Sequence, residues 1–82
     1  MAAGRTSLMP TNSTAQRVTA EVRAEMARQR KSQTAIAKAL NMSQVAVSRR
    51  LRGEVDFTVT DLARLADVLG VPLAQFIPIE AA

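Results

Sequence analysis

Apolar residues recur at intervals of three or four along most of this chain, and residues that favour helix ends separate one group from the next. This spacing places each group on one face of a helix, so the pattern predicts five helices with short connections and requires no strand. A chain of 82 residues forms one domain at most and buries only a modest core. Because it has no cysteine, no disulfide can stabilise it. A well-packed helical bundle, a partner subunit or both must do so.

The predicted helix ends are marked by residue type. Side-chain oxygens suited to capping a helix N-terminus occur at Ser13 or Thr14, Ser32, Ser43 and Thr60. Pro72 is suited to the first position of a fifth helix, which Pro78 would end. Asn41 tolerates a left-handed backbone, so it can end the second helix where glycine would usually stand. Two short helices joined by a tight turn at Asn41 are therefore expected in the middle of the chain.

The inward-facing residues of these helices define the predicted core. In the two central helices they are Ile36, Ala37, Leu40, Met42, Val47 and Leu51, and in the first helix Val18, Val22 and Met26. Val55, Phe57 and Val59 are expected to anchor the loop before the fourth helix. The outer face of the third helix is left polar, and a helix of this size fits the major groove of B-DNA.

Charge is divided unevenly along the chain. Residues 17–52 contain nine lysines and arginines against Glu21 and Glu25, a net charge of +7, whereas residues 53–82 carry −4. This asymmetry indicates one face for a polyanion and another turned away from it, although a solvated helix surface is the plain alternative.

The inventory of side chains argues against enzymatic chemistry. Without histidine or cysteine, and with few scattered carboxylates, the chain offers no nucleophile, proton relay or metal cluster. It also lacks a glycine-rich phosphate loop and any apolar run near the roughly 20 residues of a transmembrane helix. We therefore expect a cytoplasmic protein that is not an enzyme and uses no cofactor, metal or small-molecule ligand. Residues 1–12 are interpreted as a flexible N-terminal arm and residues 78–82 as a C-terminal tail.

Two segments resemble a known family. The first contains Ser32-Gln33, Ile36-Ala37, Leu40-Asn41-Met42-Ser43, Val47-Ser48-Arg49 and Arg52-Gly53-Glu54, and the second runs from Leu62 to Leu73. At this separation they resemble the Cro and phage-repressor class of helix-turn-helix proteins, also called the XRE family. The resemblance spans roughly residues 18–77. It implies an all-α, five-helix, lambda-repressor-like DNA-binding domain with a central helix-turn-helix, which we assign to residues 13–77.

The resemblance also implies roles for individual residues. The base-reading residues would be Gln44, Val45, Ser48 and Arg49. The phosphate-binding residues would be Ser32, Gln33, Arg50, Arg52, Thr58 and Thr60. Glutamine pairs well with adenine, valine can contact a thymine methyl and arginine suits guanine. For Arg50, a solvated charge is an equal alternative.

Three departures from the family pattern affect the turns and the third helix. Arg30 and Lys31 stand where a glycine and an apolar residue are common, so the first connection is expected to be more exposed than usual. Asn41 replaces the common turn glycine. Arg50 occupies a position that is often apolar, so we expect Leu51 to point inward and Arg50 to turn towards solvent or phosphate.

The implied partner is double-stranded DNA, bound by a homodimer that forms fully only on DNA. Candidate dimer contacts are Leu73, Ile77 and Ile79. The chain ends soon after this domain, which suits a small phage-type or prophage-type repressor on a palindromic operator. The alternative is the antitoxin of a toxin–antitoxin pair, which an exposed apolar patch near Leu73, Phe76 and Ile79 would favour. Membrane binding by the first helix is disfavoured by Glu21 and Glu25.

Overall fold

The computed structural model describes residues 14–77. The expected N-terminal arm at 1–12, the candidate cap Ser13, and the tail at 78–82 with Ile79 lie outside the described residues. Within residues 14–77 the chain is all-helical and contains no strand. It forms α1 (Thr14–Gln29), α2 (Gln33–Leu40), α3 (Gln44–Leu51), α4 (Val59–Leu69) and a 3-10 turn (Leu73–Gln75).

Two serines start the central helices as the sequence predicts. Ser32 Oγ accepts a hydrogen bond from Ala35 N at 3.0 Å, and Ser43 Oγ accepts one from Ala46 N at 3.0 Å. Each bond satisfies a backbone donor that the first turn of a helix leaves without a partner. The positions at which α2 and α3 begin are therefore set by local chemistry.

The predicted cap of α4 is wrong by two residues. Thr58, not Thr60, is the N-cap: its hydroxyl accepts from Asp61 N, and Asp61 Oδ2 accepts from Thr58 N, both at 3.0 Å. This reciprocal pair needs an acidic or amide side chain three residues after the cap, and Ala63 could not supply one for Thr60. Val59 thus becomes the first helical residue and is 68% exposed, so it does not anchor the preceding loop.

The expected fifth α-helix is a single 3-10 turn. Pro72 has an extended backbone, and hydrogen bonds from Gln75 N to Pro72 O and from Phe76 N to Leu73 O close the turn. Pro78 follows in the sequence, and a proline disfavours helical backbone in the residue before it. The described part of the chain therefore has four α-helices rather than five.

All four α-helices end with the same backbone arrangement. A left-handed residue stands one position after the helix, or two positions after it in α3, where Arg52 intervenes. The next N–H bonds to a carbonyl five residues back, as in Lys31 N to Met26 O at 2.9 Å. The left-handed residues are Arg30, Asn41, Gly53 and Gly70. The positive φ expected for Asn41 is confirmed, at 59°. Arg30 has the same conformation at 56°, and both Arg30 and Lys31 are exposed, as expected for the first connection.

One hydrophobic core joins the helices. It contains Val18, Val22, Met26, Ile36, Ala37, Leu40, Val47, Leu51, Leu62, Leu65, Ala66, Leu69 and Phe76. α2 packs against both α3 and α4, and α1 packs against the same two helices. Leu51 is buried, which confirms its predicted inward role, and Met42 packs against the core after the turn. This packing leaves the outer side of α3 uncovered.

Candidate nucleic-acid interface

The inner face of α3 packs in the core and so fixes the direction of its exposed outer face. Val47 and Leu51 are buried on one side of the helix, while Gln44, Val45 and Arg49 are exposed on the other. Val45 is 66% exposed, which is uncommon for a valine in a packed helix. The first turn of α3 therefore offers an apolar surface beside the amide of Gln44.

A shallow groove brings together five of the residues predicted to contact DNA. It has a volume of about 280 Å³, and it is lined by Gln33, Gln44, Val45, Ser48 and Arg52. Gln33 is the first residue of α2 and Gln44 the first residue of α3, so the groove joins the N-terminal ends of both helices. Two amides, a hydroxyl, a guanidinium and a methyl surface share this space. Such a set can donate to and accept from the polar edge of a base, and can contact an apolar group.

Arg49 and Arg52 share one carboxylate at the end of α3. Arg52 Nε lies 2.8 Å from Glu54 Oε2, and Arg49 Nε lies 3.5 Å from Glu54 Oε1. Arg52 Nη1 also donates to Ser48 Oγ at 2.5 Å. The hydrogen bond from Arg52 lowers the pKa of Glu54 and raises the pKa of Arg52, so both groups are charged at neutral pH. Glu54 belongs to a segment that resembles the family, but no role is predicted for it from the sequence.

Arg50 does not turn towards solvent as expected. Its side chain is 20% exposed, its Nε lies 3.3 Å from Asp61 Oδ2, and its Nη1 donates to Ala46 O at 3.0 Å. Asp61 is acidic and belongs to the capping pair of α4, so the guanidinium lies between this carboxylate and the Ala46 carbonyl of α3 instead of extending into solvent. The predicted outward direction of Arg50 is therefore wrong, and this geometry argues against its phosphate contact.

The remaining predicted phosphate ligands lie at helix starts. Ser32 and Thr58 are exposed, and their hydroxyls cap α2 and α4. Thr60 is exposed in the first turn of α4. A helix N-terminus presents free backbone N–H groups to an anion, and capping hydroxyls do not remove all of them. The structure thus gives Ser32 and Thr58 a local structural role, and leaves their proposed phosphate contacts as predictions.

The predicted dimer contacts are partly engaged within the monomer. Leu73 and Ile77 are half-buried and pack against the core, and Phe76 is completely buried, as expected for that residue. Ile79 lies outside the described residues.

A buried polar cluster around Glu25 was not foreseen. Glu25 is buried on α1, and its carboxylate accepts from Arg28 at 2.7 Å, Gln29 at 2.7 Å and Gln75 at 2.6 Å. Gln29 Nε2 also donates to the Leu69 carbonyl at 2.7 Å. These bonds, from Gln29 first and then Arg28, lower the pKa of Glu25 against the opposing effect of burial. Its position three residues after Val22 is the signal that could have placed it on the inner face.

A second unforeseen contact fixes α1 against the end of α3. Arg23 Nη1 donates to the carbonyl of Leu51 at 3.0 Å across 28 positions of sequence. This bond satisfies one of the free carbonyls at the C-terminus of α3.

Between residues 14 and 77 no group of three or more histidines, cysteines or acidic residues could hold a metal ion. No helix in that part of the chain is long and apolar enough to cross a membrane.

Comparison with known proteins gives two matches and one negative result. The model of a helix-turn-helix family matches residues 22–76, which include α2, α3 and the groove. The crystal structure of the DNA-binding domain of BldD is similar, with a TM-score of 0.68 and 31% sequence identity. That match covers 79% of this chain and 94% of the BldD domain. No curated protein matches the chain.

Proposed function

The chain belongs to the helix-turn-helix family, in its XRE class of DNA-binding transcription regulators, and from that premise we propose that it recognises a specific duplex sequence with α3. The groove carries this proposal: five residues that sequence analysis assigned to DNA line one surface depression. A recognition helix enters the major groove with its N-terminal residues against base edges. Gln44 and Val45 occupy that end of α3 and are exposed.

The proposed base contacts follow from the chemistry of each side chain. Gln44 pairs with an adenine through its amide, and Val45 contacts a thymine methyl. Ser48 and Arg49 read further base edges, with Arg49 directed to a guanine. Gln33, Arg52, Ser32, Thr58 and Thr60 hold phosphates on either side of the recognition helix.

The assignment of Arg50 differs from the others. Because its guanidinium bonds to Asp61 and to the Ala46 carbonyl, we propose that it positions α3 against α4 rather than binding DNA. A recognition helix must keep its angle to the scaffold if several side chains are to reach base edges together.

We further propose that the protein binds a palindromic operator as a dimer and represses transcription by occupying it, as in small phage-type regulators. One helix reads only a few base pairs, and a two-fold pair of helices meets successive major grooves about 34 Å apart. The symmetric interface would lie away from the basic face, near Leu73, Ile77 and Ile79. Sedimentation of the free and operator-bound protein, with and without residues 77–82, tests this assembly, and an operator-controlled reporter tests repression.

The antitoxin alternative is not favoured by the described residues. An exposed apolar patch near Leu73, Phe76 and Ile79 would favour it, but Phe76 is completely buried and Leu73 packs against the core.

The decisive experiment for DNA recognition selects bound sequences from a random duplex pool and then titrates the preferred site. Affinity should fall steeply as salt rises, because each phosphate contact releases counterions. Gln44→Ala should cost about 1–3 kcal/mol on the preferred site and little on random DNA. Equal losses on both would show that Gln44 does not read a base, and no duplex binding at low salt would refute the proposed function.

A further inference from the structure

Glu54 lies three residues after the end of α3, and its carboxylate pairs with Arg49 and with Arg52, which lines the groove. Its backbone N–H donates to the Arg49 carbonyl at 2.9 Å, and Gly53 before it has a left-handed φ of 83°. This turn fixes residue 54 against the last turn of α3. The main chain of Glu54 is therefore fixed at this position, and its carboxylate pairs with two cations proposed to contact DNA.

The ion pairs of Glu54 are exposed and can be exchanged. The side chains of Arg49, Arg52 and Glu54 are 56%, 54% and 48% exposed. Pairs of this exposure contribute little to stability, because water screens them and long side chains lose freedom. A phosphate offers each arginine the same kind of bond that Glu54 already provides. DNA binding thus has to replace these bonds or bring a carboxylate close to the phosphate backbone.

We propose that Glu54 is a specificity-determining residue, which competes with DNA phosphates for Arg49 and Arg52 and so weakens binding to random duplex more than to the preferred sequence. This inference rests on the proposed function. On random DNA the two arginines gain only phosphate contacts, against which Glu54 competes directly. On the preferred sequence Arg49 gains the paired acceptors of a guanine edge.

The network also orders the arginines before DNA arrives. Arg52 bonds to Glu54 and to Ser48, and Arg49 is drawn to the other carboxylate oxygen. Restricting long side chains before binding reduces the entropy lost on forming contacts that require one geometry. This smaller loss of entropy matters more for a base contact than for phosphate contacts, because a phosphate can be contacted in many geometries. Removing the Glu54 charge ends the competition with phosphates and also the ordering of the arginines. Both changes should raise the affinity for random DNA relative to the affinity for the preferred sequence.

The test compares Glu54→Gln with wild type on random duplex and on the selected site, by fluorescence anisotropy at several salt concentrations. We expect affinity for random duplex to rise about 3- to 10-fold at ~0.1 M salt, with a salt slope steeper by about one counterion. Affinity for the preferred site should change by less than about twofold, because the gain in charge is offset by the loss of ordering. Thermal melting of Glu54→Gln checks that the fold is retained.

Asp67→Asn is the matched control. It changes the net charge by the same amount, but Asp67 is exposed in the last turns of α4, about 13 Å along that helix from the Thr58 cap. Its effect should be small and equal on the two DNAs. If Glu54→Gln also raises both affinities equally, or lowers both, Glu54 acts only through general charge or by supporting phosphate contacts, and the inference is overturned. Absence of wild-type binding to any duplex would instead refute the proposed function.

Discussion

Two carboxylates each hold several side chains in this protein, and their surroundings give them opposite roles. The side chain of Glu25 is 9% exposed and bonds to Arg28 and to the amides of Gln29 and Gln75. The side chain of Glu54 is 48% exposed and bonds to Arg49 and Arg52 on the proposed DNA-binding face. The buried Glu25 cluster therefore stabilises the fold, whereas the arginines of the exposed Glu54 cluster remain available to a ligand.

The buried cluster joins three parts of the chain. Gln75 belongs to the 3-10 turn, Gln29 ends α1, and the same Gln29 amide reaches the carbonyl of Leu69 at the end of α4. Buried polar groups of this kind are costly when one partner is missing, because the others are left without bonds. The exposed cluster has no such dependence, since water can replace any of its members.

The largest expected effect comes from removing each carboxylate in turn. Glu25→Ala removes the acceptor of the half-buried Gln75 amide and leaves that of Gln29 with only the Leu69 carbonyl, and should lower the melting temperature by about 5–10 °C. Glu54→Ala should change it by less than about 2 °C. Thermal unfolding followed by circular dichroism measures both. Equal shifts for the two variants would contradict the distinction between the clusters.

The pH dependence of stability provides the control for Glu25. Its pKa in the folded protein is lowered from the ordinary value of 4.5, first by the hydrogen bond from Gln29 and then by Arg28. The folded state therefore favours the charged form, and its contribution is present above pH 4.5 and lost as pH falls through the lowered pKa. The difference in melting temperature between wild type and Glu25→Ala should shrink as the pH falls further below 4.5. A constant difference would show that the carboxylate charge is not involved.

A second comparison separates two arginines that lie two residues apart. Arg50→Ala removes the bonds to Asp61 and Ala46 and should destabilise the fold by about 1–2 kcal/mol. Arg52→Ala should leave unfolding nearly unchanged but weaken binding to all duplexes alike, with a flatter salt slope. Urea denaturation measures the first effect and a salt series of DNA titrations the second.

Arg64→Ala is the charge-matched control for both variants. Arg64 is exposed on α4, so its removal lowers the net charge equally without touching the groove or the pair with Asp61. If Arg50→Ala leaves stability unchanged and weakens DNA binding as Arg52→Ala does, the original phosphate assignment of Arg50 is restored.

The helical architecture was predictable because local signals dominate it. Ser32, Ser43 and Asn41 act at the positions where their chemistry is expected, and the spacing of buried residues identified the inner face of α3. The two errors at the C-terminal half arose where two signals competed. Thr58 and Thr60 are both suitable caps, and only the reciprocal bond with Asp61 decides between them. Pro72 favours a helix start, but too few residues follow before Pro78 to form an α-helix.

The groove was predictable as a set of residues but not as a network. Its lining follows from helix periodicity and the family resemblance, since Gln44, Val45 and Ser48 lie on one side of α3. The contacts of Arg50 and Gln75 join residues that are distant in the sequence. Arg50 meets Asp61 across 11 positions, and Gln75 meets Glu25 across 50. No periodic pattern specifies these two pairs, so the contact of Arg50 with Asp61 and that of Gln75 with Glu25 are evident only in the folded structure.

The smallest expected effect on stability comes from two left-handed residues, one at the end of α1 and one in the turn before α3. Arg30, at the end of the helix that carries Glu25, and Asn41, in the turn before α3, both have the left-handed conformation, with φ of 56° and 59°. That conformation disfavours arginine more than asparagine, whose short side chain tolerates it. Glycine adopts it without strain but loses more conformational freedom on folding, which offsets part of the gain. Arg30→Gly should therefore stabilise the fold by about 0.5–1 kcal/mol, and Asn41→Gly by about 0–0.5 kcal/mol.

Arg30→Ala separates backbone strain from charge, because it removes the guanidinium but retains a side chain in the left-handed conformation. Chemical denaturation of the three variants should rank Arg30→Gly as the most stable, with Arg30→Ala no more stable than wild type. Both glycine variants keep the backbone bonds that close α1 and α2, from Lys31 N to Met26 O and from Met42 N to Ala37 O, each 2.9 Å. The angle between α2 and α3 should be unchanged, so Asn41→Gly should retain the affinity of wild type for the selected duplex. A stability loss for Asn41→Gly would mean that its side chain, and not its backbone conformation alone, supports the turn before the recognition helix.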